Sequence, residues 1–193
     1  MPRLKQNIIL HNKGSAEIGY EQMIIRANTY EPRSNSEYFI IDRQIVVSAG
    51  RFDLTGIFWE HAGRRKYQKV NLCLFEVKFS LNSDINNVHN QLTKYYEALK
   101  PMAGSFADNC ETFFHQKLDL GLYDQSPDRL EAMKTLKILR ELPDFQFILV
   151  LVYYNPNSVQ LDLSQLENLP FAKQVKIFHG KLAMWQQNVK PIL

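Results

Sequence analysis

The chain is poor in cysteine. Its two thiols, Cys73 and Cys110, cannot build a disulfide scaffold or a four-thiolate iron–sulfur cluster. Zinc-ligand spacing is missing too, with no C-x-x-C and no pair of His residues four apart on one helix. Cys73 stands in an apolar stretch and reads as a small buried hydrophobe, so a reducing compartment is expected. Long apolar runs are also absent. The longest, Phe147 to Tyr154, falls far short of the roughly 20 residues that span a bilayer. The opening MPRLKQNIILHNKG lacks the apolar stretch of a signal peptide. A soluble, cytoplasmic protein with no membrane partner is therefore expected. There is no internal repeat and no low-complexity tract. The formal net charge of +3 is too small a surplus to mark a nucleic-acid binder by itself.

What is present suits a globular domain. The 193 residues are 45% hydrophobic and 22% charged, enough for one full core, and a single domain over 1–193 is expected. Gly14 and Ser15 start a helix that runs to about Thr29, with Ile18, Ile24 and Ile25 along one side, and Glu31-Pro32 ends it. Three strands follow, Tyr38 to Val47, Arg51 to Trp59 and Val70 to Phe79, spaced as an antiparallel meander. Ser83 or Asp84 caps a helix from Ile85 to about Leu99, closed by Pro101. An insertion at about 101–143 holds two expected helices, Phe106 to Leu118 and Pro127 to Leu142. Phe145 to Tyr153 reads as a strand buried on both faces, and Val175 to Phe178 as a last short strand after a short helix. This order predicts an α/β sandwich, with the late strand parallel to its neighbour through a helical crossover.

The third strand carries the chemistry. Glu76 and Lys78 are two apart in Leu72-Cys73-Leu74-Phe75-Glu76-Val77-Lys78-Phe79, so they share a face. Charges on an apolar strand are costly unless they are paired, wet or bound to a metal. An edge strand with a surface ion pair is one reading. Asp53, in the preceding strand, favours another, because a hairpin can bring it beside Glu76. Two converging carboxylates repel unless a cation lies between them, and hard oxygen ligands suit Mg²⁺ or Mn²⁺.

Asp53 followed by Glu76-Val77-Lys78 in the next strand resembles the PD-(D/E)XK nuclease superfamily. Phe52 stands where the family's name has proline. Gln91-Leu92-Thr93-Lys94-Tyr95 resembles the Q-x-x-x-Y motif of its RecB and lambda-exonuclease branch, whose iron–sulfur members need four cysteines and are excluded. The resemblance implies a restriction-endonuclease-like αβββαβ sandwich and Mg²⁺-dependent hydrolysis of phosphodiester bonds, most readily in DNA. It implies that Asp53, Glu76 and the Val77 carbonyl hold the metal, and that Lys78 orients or activates the attacking water. Gln91 and Tyr95 would support the water or the nucleic acid. An acidic residue on the first helix would join them, Glu21 in preference to Glu17.

Other cations are candidate phosphate contacts. Arg51 precedes Asp53, and Arg64, Arg65 and Lys66, with Lys69 nearby, form the densest basic cluster, which reads equally as a solvated loop. Lys134, Lys137 and Arg140 fall along a rough stripe of the second insertion helix, which reads first as a solvated face and second as a track for a phosphate backbone. A homodimer is compatible with this reading. Its rivals are a catalytically inactive nucleic-acid-binding or assembly subunit on the same fold, and a protein-interaction subunit in which Glu76 and Lys78 are only a surface pair.

Overall fold

A computed structural model describes residues 16–30, 37–64, 68–80, 83–155 and 162–193. The first helix, α1, spans Ala16–Ile25 and runs on into one π-helical turn, Arg26–Tyr30. That wide turn has side-chain causes. The buried Asn28 amide donates to the carbonyls of Ile24 and Leu182, each at 2.8 Å, and accepts the Met184 N–H at 2.8 Å. Thr29 bonds both backbone groups of Ile40. Gly14, Ser15, Glu31 and Pro32, expected to bound this helix, lie outside the described residues.

Strands β1 (Tyr38–Val47), β2 (Gly50–Phe58) and β3 (Lys69–Phe79) form the antiparallel meander. Helix α2 (Val88–Leu99) follows, then α3 (Ala103–Asp119), α4 (Pro127–Lys134), β4 (Lys137–Ile138), β5 (Gln146–Val152), α5 (Leu163–Glu167), β6 (Val175–His179) and β7 (Val189–Pro191). Among the described residues these make an α/β structure around one mixed sheet of seven strands, ordered β1-β2-β3-β5-β6-β7, with β4 also pairing β3. The β3–β5 and β5–β6 pairs are parallel, as helical crossovers require.

All seven residues of β5 are buried. Phe147, Leu149 and Leu151 enter the core that includes Leu92, Tyr95 and Phe106, on the side of α2 and α3. Ile148, Val150 and Val152 enter the core that includes Ile24, on the side of α1. The sheet is thus a wall between two apolar layers, and a charge on its middle strands has no easy route to water. No helix among the described residues is long and apolar enough to cross a membrane.

Three expectations need correction. The turn Ser83–Asn87 is a 3-10 helix, so the α-helix begins at Val88 rather than Ile85. The second insertion helix stops at Lys134, because Lys137–Ile138 pairs with the start of β3 instead. The three cations therefore share no helical stripe; Lys134, Lys137 and Arg140 stand exposed, ion-paired with Glu131, Glu111 and Asp108 respectively, as a solvated face would have them. Strand β7 was not expected from its three residues.

Candidate active site

Register decides the site. Leu54 lies opposite Phe75, the last paired position of the β2–β3 ladder, so one step further Asp53 falls opposite Glu76, on the same face. There the strands part. The Val77 N–H, which a continuing ladder would give to a β2 carbonyl, donates to Asp53 Oδ2 at 2.8 Å. An extended residue directs its N–H and C=O to the same edge, so the Val77 carbonyl opens on the same gap as the Asp53 carboxylate.

Glu76 is 3% exposed. Its Oε1 accepts from Gln91 Nε2 at 2.6 Å and from Lys78 Nζ at 2.9 Å. Its Oε2 is buried and has no hydrogen-bond partner. Burial, and then the charge of Asp53, push the Glu76 carboxyl up to about 7, against the pull of Lys78 and Gln91. Asp53 is also raised, first by burial, while the Val77 N–H, Lys78, Arg51 and Arg43 act the other way. A buried carboxylate oxygen without a partner costs free energy. That Glu76 oxygen, the Asp53 carboxylate facing it and a backbone carbonyl beside them make a set of hard oxygens of the kind a small divalent cation takes.

The second layer is a chain of hydrogen bonds. Gln91 Nε2 donates also to the Tyr95 hydroxyl at 2.8 Å, and that hydroxyl donates to the Arg51 carbonyl at 2.8 Å. Gln91 and Tyr95 meet because they lie one helical turn apart. The Tyr95 ring rests on Phe52, 4.4 Å between centroids. Gly50 makes room for it: a Cβ there would come within 3.0 Å of the ring, and its φ of 144° disfavours other residues. Tyr95 is 4% exposed, so it does not offer the surface that a nucleic-acid contact needs. It anchors Gln91, which in turn fixes the Glu76 carboxylate.

Glu21, on α1, is 2% exposed. Arg43 of β1 grips its Oε2 with Nη2 at 3.0 Å and Nε at 3.1 Å. Burial first and Asp53 second raise the Glu21 carboxyl, so it senses the site, while Arg43 and Arg51 lower it. Glu17 lies one turn earlier and only half-buried. No group of three His, Cys, Asp or Glu side chains among the described residues is placed to hold a metal; the oxygen set is Asp53, Glu76 and the Val77 carbonyl, with Glu21 held back by Arg43.

The expected phosphate contacts divide. Arg51 is exposed beside the carboxylates and lowers the Asp53 and Glu21 carboxyls. Arg64 sits past the other end of β2, about 20 Å away at 3.3 Å per strand residue. Its guanidinium lies over the Trp59 ring at 4.9 Å and donates to the Trp59 carbonyl, and burial lowers it to about 10. It is a packing residue, not a contact at this site. Arg65 and Lys66 lie outside the described residues.

Sequence reasoning missed Arg43 and Gln44. Arg43 pairs with Leu54 and Ile45 with Phe52, so Gln44 falls opposite Asp53, with a left-handed φ of 59°. Strain of this kind in a non-glycine residue gathers at functional sites. No family model, curated protein or solved structure matches the chain.

Proposed function

We propose that the chain is a metal-dependent nuclease of the PD-(D/E)XK type, built on the restriction-endonuclease-like αβββαβ arrangement and hydrolysing phosphodiester bonds in nucleic acid, DNA foremost. One observation carries the reading. Asp53 and Glu76 face each other where β2 and β3 part, with Lys78 on one Glu76 oxygen and the other oxygen buried without a partner.

Asp53, Glu76 and the Val77 carbonyl would hold Mg²⁺ or Mn²⁺, which when bound polarises a phosphoryl oxygen and lowers the pKa of water. The chain's own groups do the rest. Glu76 holds the Lys78 ammonium at the gap, where it orients the attacking water and offsets charge developing on the phosphate. Gln91 keeps the Glu76 carboxylate in one orientation, and Tyr95 keeps Gln91. Arg43 cancels the charge of Glu21 until a second cation or a substrate phosphate competes for either group.

The test is cleavage with Mg²⁺ or Mn²⁺ on linear, circular, single-stranded and branched DNA. Wild type is expected to cut at least one of these, and Asp53→Asn none. Lys78→Ala is expected to cut more slowly by a factor on the order of a hundred while still binding Mn²⁺. No cleavage of any substrate by wild type, or near-normal cleavage by Asp53→Asn, rules the reading out. The convergence of only two carboxylates in the gap, with Glu21 held by Arg43, favours as runner-up a binding subunit without turnover. In that case the same assay returns binding and no product.

A further inference from the structure

Strands β3, β5 and β6 run parallel, so their last residues Phe79, Val152 and His179 share one edge of the sheet. Open sheets bind ligands at that edge. Glu76 and Lys78 lie at that end on the α2 face, while Phe79, three residues past Glu76 and about 10 Å along the strand, turns to the α1 face with Tyr20.

Just beyond β5 stands Tyr153. It is 73% exposed and held at a φ of 55°, a region that bulky side chains avoid and that costs free energy. Its ring meets Phe79 at 5.9 Å and 60°, and Phe79 meets Tyr20 of α1 at 6.4 Å and 73°. Three elements therefore gather three rings edge to face. Phe79 and Tyr20 are half-buried behind, and Tyr153 stands out in water. Folding gains little from an exposed ring on a strained backbone.

Charge points the same way. A duplex is held mainly through its phosphates, by cations. Among the described residues, the carboxylates of the site are Glu21, Asp53 and Glu76, and the cations that act on them are Arg43, Arg51 and Lys78. Arg43 is joined to Glu21 and Lys78 to Glu76, so two of these three cations are already engaged by the site's own carboxylates. Aromatic stacking supplies affinity without charge, but only to bases whose faces are open, and paired bases hide theirs in the stack.

We propose that Tyr153, backed by Phe79 and Tyr20, is a stacking platform for an unpaired base of a strand that crosses the C-terminal end of β3 from the phosphate held at Asp53 and Glu76, so that the substrate class is single-stranded nucleic acid. The placement of the phosphate rests on the nuclease reading; the stacking does not.

The experiment uses the full chain and a single-stranded oligonucleotide carrying one 2-aminopurine, whose fluorescence falls on stacking, beside a fully paired hairpin of the same composition. Binding is read in an Asp53→Asn background, where no strand is cut. Cleavage is read with Mn²⁺ in the otherwise unaltered protein. The expected result is preferential binding of the single strand with quenching. Tyr153→Ala should weaken this roughly ten-fold or more and remove the quenching without moving the melting temperature, and Tyr153→Phe should restore both. Equal binding of hairpin and single strand, or quenching that survives Tyr153→Ala, overturns the platform, even where cleavage stands. Quenching that depends on Tyr153 in a protein that cuts nothing upholds the platform and removes the nuclease reading instead.

Discussion

A carboxyl group on a middle strand of an apolar sheet is easier to keep protonated than ionised, and Glu76 follows that rule. Its ordinary value of 4.5 is raised to about 7 in the fold, and Asp53 moves in the same direction. Between those two values the folded chain holds a proton that the unfolded chain has released. Stability then falls as pH rises, because the native state binds more protons. The metal-free protein is therefore expected to have its full share of this stability below pH 4.5 and to lose it as pH climbs through about 7. Thermal melts in chelator across that window check it. Glu76→Gln should flatten the decline, and equal slopes for the two proteins would show that Glu76 is not the titrating group. Glu76 and Lys78 were legible in the sequence because a period of two on an apolar strand exposes any charge that breaks it. Arg43 was not. An extra residue in β1, at the register shift between Ile40 and Asp42, turns Asp42 toward Lys117 of α3 and Arg43 toward Glu21 of α1. A shift of one residue reverses which face a side chain takes, and no local pattern announces it.

At the scale of elements, the site depends on how α2 is fastened to β2. The fastening is the Gln91–Tyr95–Arg51 chain and the Phe52 contact. Tyr95→Phe keeps the ring and removes the hydroxyl, leaving the Arg51 carbonyl and one Gln91 hydrogen without their partner. A loss of about 1 kcal/mol is expected, or about 2–4 °C in melting temperature for a chain of this length. Cleavage should slow several-fold with KM little changed, since Gln91 then wanders from Glu76. A variant with unaltered stability and rate would make this chain of bonds incidental. The long elements of the fold were readable, as β3 and β5 declare themselves by alternation and by an unbroken apolar run. The short ones were not. Strand β4 exists because the Glu111 carboxylate accepts the Ile138 N–H at 2.8 Å and pairs with Lys137 at 2.9 Å. Those partners are remote in sequence, and they override the helical pattern that continues past Lys134.

For the whole molecule, the site and the fold pull in opposite directions. The sheet buries two apolar layers, yet it carries Asp53 and Glu76 opposed across its middle with one oxygen unpartnered. On the proposed reading, a bound cation would relieve this. A ligand that binds only the native state stabilises by RT ln(1 + [L]/Kd), about 2.7 kcal/mol at a hundred-fold excess over Kd. For this length that is about 5–11 °C. Two measurements then bear on one idea. Above the Glu76 pKa of about 7, chelated Glu76→Gln should melt higher than chelated wild type, because one of two repelling charges is gone. On adding Mn²⁺ the order should reverse: wild type gains the several degrees and Glu76→Gln, with a weaker ligand, gains little. Chelator added back should return both to their starting values. Activity should follow the metal, not the melting temperature, so the more stable chelated variant is also the inactive one. A wild-type melting temperature indifferent to Mn²⁺ at millimolar excess, or an equal gain in Glu76→Gln, would mean that the opposed carboxylates serve something other than a metal.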